Sequence, residues 1–282
     1  MLTVLFDGLA YGMLLFILAC GLSVTLGVMN FINLAHGMFA MVGGYACAYF
    51  VNKLGVPFLL ALPLAFLSAA SLGIALERTL YVRLYRRSHL DQVLFTIGLV
   101  FMAMAVTDII EGSAQQFIQL PDFLRQRFIV AGISMGAYRL LIIAICGALA
   151  LTLQMILSQS RFGMRLRAAV DDARVARGLG INVGALFAVT FAVGSGLAGL
   201  GGALGAEILG LDPSFPIKYM VYFLIVVTVG GASSIAGPFL AAILLGIADV
   251  AGKYYLPEAG AFIIYTMMIV VLVLRPQGLI AR

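Results

Sequence analysis

The chain has 282 residues, 63% of them hydrophobic and 10% charged, with a net charge of +5. Soluble domains carry about 25% charged residues, so a chain with a mean hydropathy of +1.12 reads as an integral membrane protein with essentially no room for a soluble domain. The positive charge is not a nucleic-acid signal, because the arginines cluster between apolar runs and report orientation instead.

In chain order, apolar runs suited to crossing a bilayer fall at roughly 4–28, 36–52, 57–77, 92–111, 135–157, 184–210, 218–232, 236–253 and 260–274. A full crossing takes about 20 residues. The runs 36–52 and 218–232 are short enough to be re-entrant or broken. The expectation is an all-α polytopic membrane protein with eight or nine transmembrane helices and a broken or re-entrant segment near 30–37. The first run begins almost at Met1, with Asp7 and no basic region ahead of it, which argues against a cleaved signal peptide.

The break before the second run reads Asn30-Phe-Ile-Asn-Leu-Ala-His-Gly37, two Asn and a His with no Lys, Arg, Asp or Glu nearby. A surface loop this polar normally carries charge. An interruption inside the membrane that lines a cavity carries neutral donors and acceptors instead, so Asn30, Asn33 and His36 are candidate pathway residues. Asn30 and Asn33 equally suit a capping role for a helix beginning near Leu34. A lone His such as His36 is more often a hydrogen-bonded core residue than a proton relay.

Two arginine-rich islands follow. Arg78, Arg83, Arg86 and Arg87 form the first; the second, Arg161 to Asn182, holds five Arg and two Asp in 22 residues. Nothing so charged sits in hydrocarbon. Its Ala, Arg, Val and Leu content suits a short amphipathic helix on the cytoplasmic side. With Arg275 and Arg282 also placed inside, 11 of the 17 Lys and Arg lie in the cytoplasm. The C-terminus is then cytoplasmic, while the side of the N-terminus depends on whether 36–52 spans. Between the islands, 112–134 is a long polar connection whose Phe117, Leu120, Phe123, Leu124, Phe128 and Ile129 favour folding onto the bilayer surface.

Glycine is abundant, with 32 residues. Gly8/Gly12 and Gly201/Gly205 have GxxxG spacing, and Gly194, Gly196, Gly199, Gly201, Gly202 and Gly205 share one run. Small residues let helix backbones approach in lipid, within one subunit or between subunits. Gly230 to Pro238 is a second interruption and a possible counterpart of the Asn/His break. Asp108, Glu207 and Asp249 fall in or near span ends. Intramembrane carboxylates are functional candidates, and Glu207 is the one singled out for the pathway, although an interfacial position explains all three equally well.

Catalysis finds little support. There are two His, no HExxH or GxSxG motif, and no G-x-x-x-x-G-K-[ST] loop, so any nucleotide energy must come from another polypeptide. Cys20, Cys47 and Cys146 lie inside apolar stretches without CxxC spacing, which speaks against both a disulfide framework and a metal site.

Three motifs together resemble the LivH-like permease subunits of branched-chain amino-acid-type ABC importers. They are residues 30–37, the Arg161–Asn182 island and the ending Leu-Arg-Pro-Gln-Gly-Leu at 274–279, with Leu76-Glu77-Arg78 and 230–238 also in family-like order. The resemblance covers nearly the whole chain. It implies a single permease domain over 1–282, with 158–182 as a cytoplasmic coupling loop, in a bacterial inner membrane. The implied partners are a second, LivM-like permease, two ATPase subunits that hold the ATP and Mg²⁺, and a periplasmic substrate-binding protein; this chain binds no cofactor. In the coupling loop Asp171 stands where the family usually has Glu, Ala173 where it has Pro, and Gly178 where it has a bulkier residue. Arg165, Arg167, Asp171, Asp172, Arg174 and Arg177 are its candidate contacts with the ATPases, and Gly163, Gly178 and Gly180 its turning points.

Relatives of this kind are associated with branched-chain and other amino acids, urea, short amides and aromatic carboxylates. Phe31, Met38, Phe39, Met41 and Tyr45 would suit an apolar pathway wall, although such residues at helical spacing are more often plain core. An ion-coupled secondary carrier is the reading from another class. It requires an ionisable relay at mid-membrane, and the end-located carboxylates supply little of one.

Overall fold

Every apolar run forms a helix, because a chain in lipid must satisfy its backbone hydrogen bonds within itself. The structure, a computed structural model, describes all residues except 30, 32, 86, 131, 132, 232, 233, 276, 281 and 282. Its helices are α1 Leu2–Met29, α2 His36–Ala48, α3 Phe58–Leu76, α4 His89–Glu111, α5 Ala137–Gln159, α6 Arg161–Asp171, α7 Ala173–Gly178, α8 Val183–Leu209, α9 Phe215–Gly230, α10 Ala236–Tyr255 and α11 Gly260–Leu274. α1, α3, α4, α5, α8 and α10 are long and apolar enough to cross a membrane, and α9 and α11 are shorter apolar helices. A π-helical turn, Tyr49–Lys53, extends α2. The fold is an all-α polytopic membrane protein.

Side-chain caps mark some of the starts. Ser88 Oγ accepts from Asp91 N at 3.2 Å to open α4, Ser160 Oγ from Gly163 N at 3.2 Å to open α6, and Asn182 Oδ1 from Ala185 N at 3.0 Å to open α8. Each side-chain oxygen satisfies a donor that the first turn would otherwise leave unpaired.

α8 forms the centre. Its glycines take three neighbours at once: Gly201 faces Ile17 and Leu18 of α1, Gly202 faces Ala40 of α2, and Gly199 faces Ala65 and Ala69 of α3. α1 and α10 meet through Gly8, Gly12 and Gly246. Within this chain, then, the glycine rows serve helix approach inside the subunit.

Ends sort cleanly. Asp7 pairs with Arg139 at the head of α5; Asn52 donates to Phe117 O and accepts from Gln119 N; Gln116 bridges to Leu211 between α8 and α9. The start of α1, the end of α2 and the 112–136 connection therefore share one face. On the opposite face lie α6 and α7, and the C-terminal stretch, whose Leu279 N donates to Val229 O at 2.8 Å. The start of α1 thus lies on the face opposite the arginine island, and Leu279 on the island's own face.

The 112–136 connection contains short regular elements. It contains a helical turn, Asp122–Arg125, and an antiparallel hairpin of β1 Arg127–Val130 and β2 Ile133–Gly136, the one sheet among the described residues. Leu120 and Leu124 are buried, whereas Phe117, Phe123, Phe128 and Ile129 point outward.

A candidate pathway, a coupling elbow and a charged cavity

At the Asn/His break the chain reverses within the protein. Phe31 N donates to Thr25 O at 3.2 Å, and Leu34 N to the Thr96 hydroxyl at 3.3 Å. His36 Nε2 lies 2.8 Å from Leu18 O, and its ring meets Phe223 edge-on at 6.2 Å. At a rise of about 1.5 Å per residue, Leu18 lies about 16 Å back along α1 from Met29. α2 therefore starts beside the middle of α1 rather than level with its end. Irregular backbone at that depth is tolerated because Thr96 and the α1 carbonyls satisfy it.

The sequence-predicted residues separate here. Asn33 is fully buried; its Oδ1 accepts from Ala35 N at 3.1 Å, a turn just ahead of α2, and its Nδ2 has no partner among the described residues. His36 is packed and bonded. Tyr45 projects from the other half of α2 with its buried hydroxyl unpartnered. Glu207 is exposed near the end of α8, in a cavity of about 550 Å³ with Arg125, Arg127 and Arg139 on the 112–136 face, away from Asn33 and His36. Asn30 lies outside the described residues.

The arginine island is an elbow of two helices. Gly163, Leu166 and Ala169 of α6 and Ala176 of α7 are buried, and a small core joins Leu166, Ala169 and Ala176 to Val183 and Leu186 of α8. A Cβ at Gly163 would sit 2.1 Å from Leu157 O, so only glycine lets α6 fold back on α5. Gly180 turns the chain toward α8 with φ +81°, a conformation other residues rarely adopt. Gly178 has open space and no positive φ, and so contributes neither. Arg167 is tied back to Leu157 O, and Asp172 caps α7 by accepting from Arg174 N and Val175 N. Arg165, Arg174, Arg177 and Asp171 are exposed and form no ion pair with any described residue. Beside them Met164, Val175 and Leu179 are 54%, 58% and 75% exposed, so the outer face mixes cations with apolar side chains.

A third feature escaped the sequence reading. A cavity of about 400 Å³ on the 112–136 side is walled by Asp7 and Tyr11 of α1, Arg139 of α5, Ile208 and Leu209 of α8, Lys218, Tyr219 and Tyr222 of α9, and Asp249, Val250 and Lys253 of α10. Lys253 Nζ lies 2.6 Å from Asp249 Oδ2 and stacks 5.7 Å from the Tyr11 ring. Asp249 and Glu207 drew notice as span-end carboxylates. The cations did not, because Arg139, Lys218 and Lys253 are far apart along the chain.

With this geometry in hand, comparison with known proteins decides the family. The profile of the family described as the branched-chain amino acid transport system / permease component matches residues 4–272. The chain belongs to that family. It is similar to the high-affinity branched-chain amino acid transport system permease protein BraD of Pseudomonas aeruginosa, at 26% identity over 99% of this chain and 95% of the relative. The permease protein LivH of Escherichia coli is also 26% identical, over 99% of this chain and 94% of its own length. The LivM permease of the same organism is 25% identical over 95% of this chain and 68% of its own. No solved structure matches. The chain is a multi-pass, LivH-like permease of the ABC-importer kind.

Proposed function

We propose that this chain is one permease half of a binding-protein-dependent ABC importer for branched-chain or other hydrophobic amino acids. It sits in a bacterial plasma membrane with its C-terminus in the cytoplasm and its N-terminus outside. A LivM-like permease completes the pathway, two ATPase subunits drive it, and a periplasmic binding protein delivers substrate.

The observation that carries this reading is the α6–α7 elbow. Its inner stripe, Leu166, Ala169 and Ala176, is anchored to α8. Its outer face offers Arg165, Arg174 and Arg177, which have no ion pair among the described residues, around exposed Val175 and Leu179. Such a face suits a cleft that combines acidic and apolar groups, and charge-assisted contacts would fix the elbow there. Closure of an ATPase pair gripping it would push on α5 and α8, which flank it in the chain, and so alternate access to a central path. α2, starting beside the middle of α1 and packed against α8 and α9, suits the helix that such a motion shifts.

ATP-driven uptake by the reconstituted complex tests the proposal. Arg174→Glu with Arg177→Glu should leave the permease folded and abolish both ATPase co-purification and uptake. Full uptake by that variant, or leucine transport by the permease pair alone, would refute it.

A further inference from the structure

We infer that the cleft between α5 and α8, beside the elbow, binds one anionic phospholipid, with an acyl chain in the cleft and the phosphate on Arg161 and Arg167. The two helices are tied at both ends: Tyr138 donates to Leu204 O at 2.6 Å on the far face, and Leu157 and Phe162 pack on the small core of the elbow. Between those ties they part, leaving an apolar groove of about 190 Å³. Val24 of α1, Leu153 and Leu197 form its buried floor, while Ile156, Val189 and Val193 form its lips at 43%, 49% and 38% exposed. The Thr190 hydroxyl donates to Leu186 O at 2.8 Å, so the walls stay apolar. The size selects a hydrocarbon chain over a helix. A sphere of that volume is about 7 Å across, whereas a helix with its side chains needs about 10–12 Å. From Val189 to Leu197 the groove runs about 12 Å along α8, close to one leaflet's share of a hydrocarbon core about 30 Å thick. Its elbow end is cationic. Arg167 donates to the carbonyl of Leu157, a groove residue, and keeps its other N–H donors for a phosphate. Arg161 directly precedes Phe162, which also lines the groove. Both arginines are exposed, and neither forms an ion pair with a described residue. The bound chain would hold apart the two spans that flank the elbow. The site itself does not depend on the importer reading.

Photolabelling of the purified permease complex in phosphatidylcholine nanodiscs tests this. Two probes carry the same diazirine-bearing acyl chain, one on phosphatidylglycerol and one on phosphatidylcholine. In wild type the phosphatidylglycerol probe should label 153–162 and 189–197 several-fold more strongly than its neutral counterpart. Arg167→Gln, at an exposed position that does not threaten folding, should lower that labelling about fivefold, the effect of one cation at a membrane surface. Arg161→Gln should act likewise, and neither change should alter labelling by the phosphatidylcholine probe. Val193→Trp, on a half-exposed lip, should fill the groove and abolish labelling of 153–162 by either probe with the melting temperature unchanged. Equal labelling by the two probes, or labelling untouched by the double arginine variant, would overturn the assignment. Loss of the label on adding inorganic phosphate would give the arginines to a free anion. A short cross-link from Val193→Cys to the second permease would give the groove to that subunit. Either result would also overturn it.

Discussion

Replacing Gly202 with Ala should separate α2 from α8 and damage the protein out of proportion to one methyl group. The added Cβ would lie 1.8 Å from Ala40 O, 2.6 Å from Ala40 C and 3.0 Å from Ala40 Cα. Those are backbone atoms, so no side-chain rotation relieves the clash. Restoring an ordinary contact of about 3.4 Å requires α2 to retreat by about 1.5 Å. Overfilling a close-packed site costs about 1–3 kcal/mol, and the lost approach also strips van der Waals contact along the crossing. Gly147→Ala in α5 is the matched control: nothing lies within 4 Å of its added Cβ, and a helical Gly→Ala change gains up to about 1 kcal/mol. Cys20, Cys47 and Cys146 are all free and buried, so a thiol-reactive fluorogenic dye reports unfolding directly. In heated detergent solution, G202A should melt several degrees below wild type and G147A at or slightly above it. Uptake should fall only in G202A. A G202A protein that melts and transports like wild type would show that the α2–α8 approach is not tight, and with it would go the case for α2 as the helix that closes the path.

Further tests concern the elbow and the orientation. Asp172→Ala removes the cap of α7 at a cost of about 1 kcal/mol; coupled ATPase activity should drop several-fold while the melting point barely moves. Asp172→Asn, which keeps the acceptor, should restore the activity, and a failure to restore would assign the effect to charge rather than capping. Leu179→Asp places a carboxylate on the most exposed apolar position of the elbow and should weaken ATPase co-purification with unchanged melting; undiminished co-purification would move the contact elsewhere. For topology, the native thiols are buried, so single cysteines read cleanly. Lys53→Cys should react with an impermeant maleimide from outside the cell and Val175→Cys only after permeabilisation, and the reverse pattern would invert the proposed orientation.

Sequence alone determined the helices and their order, because lipid leaves a backbone almost no other way to satisfy its hydrogen bonds. It also located the arginine elbow, since five arginines in 22 residues cannot be placed in hydrocarbon. The break at 30–37 was legible from its neutral polar composition, but not its use. His36 and Asn33 turned out to be held by α1 and by the turn itself, and Glu207 to lie with arginines on the far face. Those outcomes depend on neighbours that the local pattern does not name. Only the tertiary structure decided that α1 begins opposite the elbow, and that Asp7 meets Arg139 while Asp249 is buried beside Lys253. Local rules read along the chain by turn and period, whereas ion pairs and cavities form across it, between groups that only the assembled helices bring within a few ångströms.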